Sequence, residues 1–359
     1  MRMLRSGKLG DKKILLIDKE PKTKNDRTWC FWEEKNGFFE EIAYHQWNKL
    51  DFLSDTYSAT LDISPYRYKM IRGIDFYNYC FTEIKNHSNV EVVYGNIGEV
   101  SFRQGRVTFK LDNHSFDLSA AMLFNSIYYP DEQNGSIHLL QHFKGWIIET
   151  PSPYFDANKA TLMDFRISQQ FGTAFVYVLP LTDKTALVEY TLFTESLLED
   201  QQYDNELRDY IRNFLKIQDY TIKEREFGII PMTNEKLRFF KDGVYHIGTA
   251  GGQTKASSGY TFQFIQKQSQ HIVDCMVKGK LPLNLPASPG RFRFYDHTLL
   301  DILYHRKLSG KEIFTRLFQK NKPQQVLRFL DNESSLRDEL KIISSLPTWP
   351  FLKAALKQF

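Results

Sequence analysis

Residues 1–21 read MRMLRSGKLGDKKILLIDKEP, and the order of their signals decides the fold class. Leu4 is followed by basic residues and then by Gly7 and Gly10, the pattern of a helix in its last turns and its stop. Ile14 to Ile17 is a short unbroken apolar run, as a buried parallel strand requires, and Asp18 stands at its end. In a doubly wound nucleotide fold a carboxylate at this position accepts hydrogen bonds from ribose hydroxyls. A solvated turn residue is the other reading of Asp18. The helix of such a unit is preceded by a strand and a Gly-x-Gly-x-x-Gly turn, so the expectation is a sequence that begins after both. Such a start leaves Ile14–Ile17 without a neighbour inside the sheet and removes the amide nest that receives a pyrophosphate.

Outward from this stretch, MIRGIDFYNYCFTEIKNH (residues 70–87) has the apolar spacing of a helix with Asp75 near its start, followed by a strand at Val90–Val93. Hairpin strands follow around Val107, Phe109 and Leu111, and Ala121–Phe124 returns the chain to the parallel sheet. From Lys144 the runs GWIIETPS, ATLMDFRIS, TAFVYVLPL and TALVEYTLF predict antiparallel strands that form one wall of a pocket. SLLEDQQYDNELRDYIRNFLKIQ reads as a helix with Leu207, Tyr210, Ile211 and Phe214 on one face, after which YTIKEREFGIIPMT crosses back. Val244–Ile247 is then a strand, Gly248–Gly252 a close-approach turn and Gly259 the start of a long helix. Pro282, Pro286 and Pro289 punctuate a connector, and helices are expected at 299–308, 311–319, 324–330 and 336–345.

Composition narrows the function classes. The 359 residues suffice for two domains, and 29 Phe with 19 Tyr make the interior, or a ligand cavity, unusually aromatic. A net charge of +4 does not point to nucleic acid. The charge is uneven: residues 291–359 carry 13 Lys/Arg against 7 Asp/Glu, or +6, which leaves −2 for the rest. Such a tail suits either a solvated helical region or an anionic membrane surface. No run approaches the ~20 apolar residues of a membrane span, so any membrane contact is peripheral. Cys30, Cys80 and Cys275 have neither zinc nor disulfide spacing, which points to a reducing cytoplasm. His138, His142 and His246 do not form a metal set, and no metal is expected.

The segments ILLIDKEPK and NDRTWCFW (residues 14–22 and 25–32), followed by MIRGIDFY, MDFR, FVYVLPLTDKTALVEYTLF, EFGIIPM and HIGTAGGQTKASSGYTF, resemble the flavin-dependent lycopene cyclases of bacteria in order along nearly the whole chain. The resemblance implies an α/β fold: a discontinuous, Rossmann-like FAD-binding domain (1–143 and 236–290), an antiparallel-sheet substrate domain (144–235) and a helical C-terminal region (291–359). It implies cyclisation of the linear ends of lycopene or γ-carotene to β-ionone rings, without net redox change. Reduced FAD is the implied cofactor and NAD(P)H its reductant. The implied location is the cytoplasm, at the inner face of the cell membrane.

Glu189, in LVEYTLF, matches the family's acidic position on a strand lining the substrate tunnel. A carboxylic acid held in an apolar cavity stays protonated and can donate to an alkene; the alternative is a solvent-facing edge residue. Where several relatives have a second acid this chain has Tyr190, which leaves that residue to shape the ring-forming end and Asp164 as the candidate second acid, unless Asp164 pairs with Arg166. For the cofactor the resemblance implies Asp18, Arg27, Arg72, Gly248, Thr249, Gly251, Gly252, Ser258 and Gly259, with Thr249 in place of a frequent Asp. Arg72 has the alternative of pairing with Asp75 or Glu83. Two readings stay open beside cyclisation: a flavin monooxygenase on the same scaffold, and a carotenoid-binding protein without turnover.

Overall fold

The computed structural model describes residues 1–130, 136–285, 290–356 and 358. Its centre is a seven-stranded mixed sheet with the strand order Thr221–Thr233, His138–Glu149, Thr185–Thr194, Thr173–Pro180, Lys159–Asp164, Lys49–Leu53, Ser58–Asp62. Every neighbouring pair is antiparallel except Lys159–Asp164 with Lys49–Leu53. Two strands therefore come from 49–62, and the 143/144 boundary drawn from the sequence cuts through the strand His138–Glu149.

Period-two alternation divides this sheet into two faces with separate cores. Val176, Val188, Tyr190 and Trp146 point to one side, where the helix Asp200–Asn213 covers them with Tyr203, Leu207, Tyr210 and Ile211. Phe175, Tyr177, Leu187 and Phe193 point to the other, toward Trp32 and Tyr68 and the helices Gly290–Tyr304, Gly310–Lys320 and Pro323–Leu330. Phe318 stacks on Phe52 with ring centroids 4.7 Å apart, and Phe314 on Phe165 at 5.7 Å. Each fully buried side chain of this size contributes about 1.5–3 kcal/mol, so the two faces are strongly held in register.

The parallel elements are small. Ile14–Asp18 pairs with Val90–Tyr94, and Leu123–Asn125 with Val244–His246, as two ladders that are not joined among the described residues. Leu15 and Leu16 are correspondingly half-exposed.

Three expectations are corrected. Met70 and Ile71 are in the strand Arg67–Arg72, and the helix starts only at Gly73. Pairing of Cys30 with Met70 and Trp29 with Ile71 buries both apolar side chains in a ladder, which overrides their helical spacing. The crossing segment YTIKEREFGIIPMT is a 13-residue edge strand of the large sheet. The helix expected from Gly259 begins at Phe262, because Gly259, at φ +69°, closes a turn onto the Lys255 carbonyl. No helix among the described residues is long and apolar enough to cross a membrane.

Candidate functional site

The strand Thr185–Thr194 turns Ala186, Val188, Tyr190 and Leu192 to the helix-covered face and Glu189 to the other. In register, Glu189 lies opposite Tyr177 on one side and Gly145 on the other, and Gly145 lies opposite Glu226 on the edge strand. Directly paired residues share a face, so two glutamates flank one glycine. A Cβ at position 145 would lie 2.9 Å from Leu187 Cδ1, 3.0 Å from Glu226 Cγ and 3.1 Å from Glu226 Oε1. The absent side chain is what leaves room for the two carboxyls to meet across the middle strand.

Each carboxyl has one hydroxyl donor. Thr191 Oγ1 donates to Glu189 Oε1 at 2.9 Å, and Thr28 Oγ1 donates to Glu226 Oε2 at 2.7 Å. Glu226 Oε1 is buried and receives no donor among the described residues, and the group facing it is the carboxyl of Glu189. Two ionised carboxylates would repel there, whereas one shared proton makes a hydrogen bond. Burial holds Glu189 well above the ordinary carboxylate range, the Glu226 charge raises it further, and the Thr191 hydroxyl opposes the rise. Burial also raises Glu226, opposed by the hydrogen bonds from Thr28 and from Glu189. Of the two, Glu189 is raised further and is the member of the pair that favours the proton.

The surroundings are apolar and aromatic. Cys30, Tyr68 and Tyr177 stand near enough to Glu189 to feel a charge on its ionised form, and burial pushes the thiol and both phenols far above their ordinary ranges. Tyr260 meets Trp32 edge-on at 4.7 Å, and Trp32 lies against Tyr68 at 6.5 Å. Aromatic faces of this kind stabilise positive charge in a desolvated space. Glu189 is deeply surrounded by protein and keeps a small part of its surface exposed. Cys30 also lines a narrow recess together with Trp32, Tyr260 and Asp331. Burial raises Asp331 to about 7. The recess shares Phe31, Phe262 and Gln263 with a surface cavity of about 470 Å³ that contains neither glutamate.

Asp164 does not join this pair. It lies opposite Val176 on the helix-covered face, fully buried, where Arg166 Nη2 donates to it at 2.6 Å and Tyr210 Oη at 2.7 Å. Tyr190 is on that face as well, one residue from Glu189 and therefore on the other side of the sheet. The carboxyl that does meet Glu189 is that of Glu226, which the sequence reading missed. Its signal was available: in a strand spanning residues 221–233, Glu226 has the same parity as Gly228 and the fully buried Met232.

The residues expected at the cofactor fall into two groups. Asp18 ends the strand Ile14–Asp18, paired with Lys22 at 3.0 Å, and its charge reaches Arg27 and Tyr77. Arg27 pairs with Asp26 at 3.1 Å. Arg72 pairs with Asp75 at 2.6 Å and lies 3.8 Å over the Tyr44 ring, the alternative its sequence context left open. In the second group Gly248 and Gly252 have φ +60° and +74° with little beside them, the nearest atoms to an added Cβ being 3.7 and 3.5 Å away. Thr249 Oγ1 bonds Thr254 Oγ1 at 3.0 Å. Gly251 and Gly259 owe their lack of a side chain to the protein itself, since an added Cβ would come within 2.1 Å of the His246 carbonyl oxygen and of Gln141 Oε1 respectively. Ser258 Oγ and Gln141 Oε1 are buried without a partner among the described residues. Open glycine backbone beside unpartnered polar atoms fits a planar ligand with hydrogen-bonding edges. Among the described residues no group of His, Cys, Asp and Glu is arranged to hold a metal.

Comparison with known proteins agrees with this architecture. The chain is 27% identical over 215 residues to the lycopene beta-cyclase of Pseudescherichia vulneris, covering 55% of each chain. It is 26% identical over 229 residues to that of a Paracoccus species, covering 58% of this chain and 57% of the relative. The chain thus spans little more than half the length of the curated relatives it matches. Among solved structures, a flavoprotein/dehydrogenase from Cytophaga hutchinsonii superposes with TM-score 0.62 at 12% identity, over 99% of this chain and 95% of the other. A geranylgeranyl bacteriochlorophyll reductase-like protein from Thermoplasma acidophilum gives 0.57 at 12% identity, over 99% and 93%. At such identities these two show the fold alone, the one shared with flavin-dependent enzymes. The family described as lycopene cyclase protein matches residues 5–356, and on that match the chain belongs to the lycopene cyclase family.

Proposed function

We propose that the protein cyclises the linear ends of lycopene or γ-carotene to β-ionone rings, in a non-redox isomerisation that requires reduced FAD. The observation that supports this reading is the meeting of the Glu189 and Glu226 carboxyls within an aromatic, desolvated wall, with Glu189 the one pushed further toward its protonated form. Glu189 gives its proton to the terminal trisubstituted alkene; one C–H bond forms, the carboxyl O–H breaks, and a tertiary cation results. The π pair of the neighbouring alkene closes the ring as a C–C bond. A ring carbon then returns a proton to the carboxylate pair, and its C–H electrons become the ring double bond. One proton enters and one leaves, so the product is an isomer. The Glu226 charge and the rings of Trp32, Tyr68, Tyr177 and Tyr260 favour the intermediate cation electrostatically. Reduced FAD, when bound, supplies an electron-rich neighbour to that cation, with NAD(P)H as its reductant. Asp18, Arg27 and the segment Gly248–Gly259, with Ser258 as its free hydroxyl, would hold it.

The test is anaerobic turnover of lycopene with pre-reduced FAD, wild type against Glu189→Gln. Loss of cyclised product in the variant is expected; unchanged turnover removes Glu189 from the chemistry. A product that appears only with oxygen, with stoichiometric nicotinamide consumption, replaces this reading by a monooxygenase.

A further inference from the structure

We propose that the outward faces of the last two helices, Leu336–Ser345 and Thr348–Leu356, form a docking surface for an anionic lipid bilayer. Globular surfaces carry scattered apolar side chains, but here six strongly exposed ones fall within 21 residues. Leu336, Leu340 and Ile343 recur at spacings of four and three on the first helix, and Trp349, Leu352 and Leu356 at three and four on the second. Each set therefore forms a stripe along one helix face. Opposite the stripes, Ile342 and Ala354 are fully buried in the core, so both helices are anchored and their orientation is set. Trp349 is 81% exposed, a costly position for an indole in water and a favourable one at a lipid interface.

Charge identifies the occupant. On the first helix the acids are tied to the protein: Glu339 is fully buried against Arg291 at 2.6 Å, and Asp338 accepts from Gln325 at 2.7 Å with Arg328 at 3.7 Å. Arg337 and Lys341, beside the apolar stripe, are exposed, as is Lys353 on the second helix. No Asp or Glu occurs after Glu339. Exposed leucine and tryptophan with unneutralised cations beside them are what an amphipathic helix presents to acidic headgroups. A second copy of the chain would bring the same cations against one another, which disfavours self-association as the use of this face.

Co-sedimentation of the whole protein with phosphatidylcholine vesicles, with and without phosphatidylglycerol, tests the assignment. Binding is expected to the phosphatidylglycerol vesicles and to weaken as salt rises. Replacing Arg337, Lys341 and Lys353 together by Gln lowers the partition coefficient by roughly a hundredfold, as about 1 kcal/mol per basic residue implies. Leu340→Ser with Trp349→Ser, at exposed positions outside the core, also weakens binding while the thermal transition is kept. The proposal is overturned if wild type binds neither vesicle, if it binds both equally, or if the variants bind as wild type does. Concentration-dependent self-association that disappears in the variants overturns it in favour of a homotypic contact. None of these outcomes depends on the chemistry assigned to Glu189.

Discussion

The carboxyl of Glu189 faces that of Glu226 over the backbone of Gly145, in a register that three adjacent strands impose. Neither acid is next to the other in sequence; burial raises both, and the charge of Glu226 raises Glu189 further, whereas the hydrogen bond from Glu189 opposes the rise of Glu226.

On the proposed mechanism Glu226 is as necessary as Glu189. Glu226→Gln keeps the shape and removes the charge that faces the proton and the developing cation. Turnover of lycopene is expected to fall by about a hundredfold or more with KM little changed, as loss of an acid–base partner costs. Equal kcat values in steady-state assays of the two proteins would make Glu226 a packing residue.

Glu189 should also cost stability. Its carboxyl stays protonated when folded and ionises when unfolded, so above the ordinary carboxylate range the native state binds the extra proton. Stability therefore falls as pH rises, by up to about 1.4 kcal/mol per pH unit until the folded group itself ionises. In Glu189→Gln this slope is lost, and thermal melts from about pH 5 to about pH 8 should show the variant gaining on wild type.

Gly145 is a spacer. In Gly145→Ala the methyl would crowd Leu187 Cδ1 and Glu226 Cγ at 2.9 and 3.0 Å. Overpacking of this kind costs about 1–3 kcal/mol. Denaturant unfolding should register that loss, and the pH optimum of turnover should move because the carboxyls are pushed apart.

Asp164 is expected to serve structure. Its truncation leaves Arg166 and the buried Tyr210 hydroxyl without their acceptor, so Asp164→Ala is expected to lower stability by roughly 2–4 kcal/mol. The pH profile of turnover should keep its shape, which a catalytic role for Asp164 would not allow.

His142 sets an acid limit. It is fully buried between Tyr203 Oη and Thr194 Oγ1, each at 2.6 Å, and burial pushes it down to about 4. Between its unfolded value, about 6.5, and about 4 the unfolded chain binds the extra proton, so stability is lost as pH falls through that window. His142→Gln should flatten this part of the stability curve in urea titrations.

Much of the scaffold was legible along the chain because its signals are local. The apolar run at Ile14–Asp18, the alternation in Thr185–Thr194 and the helical stripe of Asp200–Asn213 all follow from side-chain period. The helix Leu336–Ser345 matches its expected bounds, with Ser335 capping it through the Asp338 amide. The strand at Arg67–Arg72 was hidden because Met70 and Ile71 suit a helix as well, and only the Thr28–Glu33 strand beside them decides between the two.

An α/β chain of the lycopene cyclase family, with Glu189 on a strand, could be read from residues in succession, because composition, period and motif order are local. Which second acid meets Glu189 is settled by the fold. Asp164 and Tyr190 are turned to the opposite face by the two-residue period of their strands, and Glu226 is brought across Gly145 by strand pairing. Register is a long-range property: it depends on which strands bury their faces together, and no local spacing encodes it.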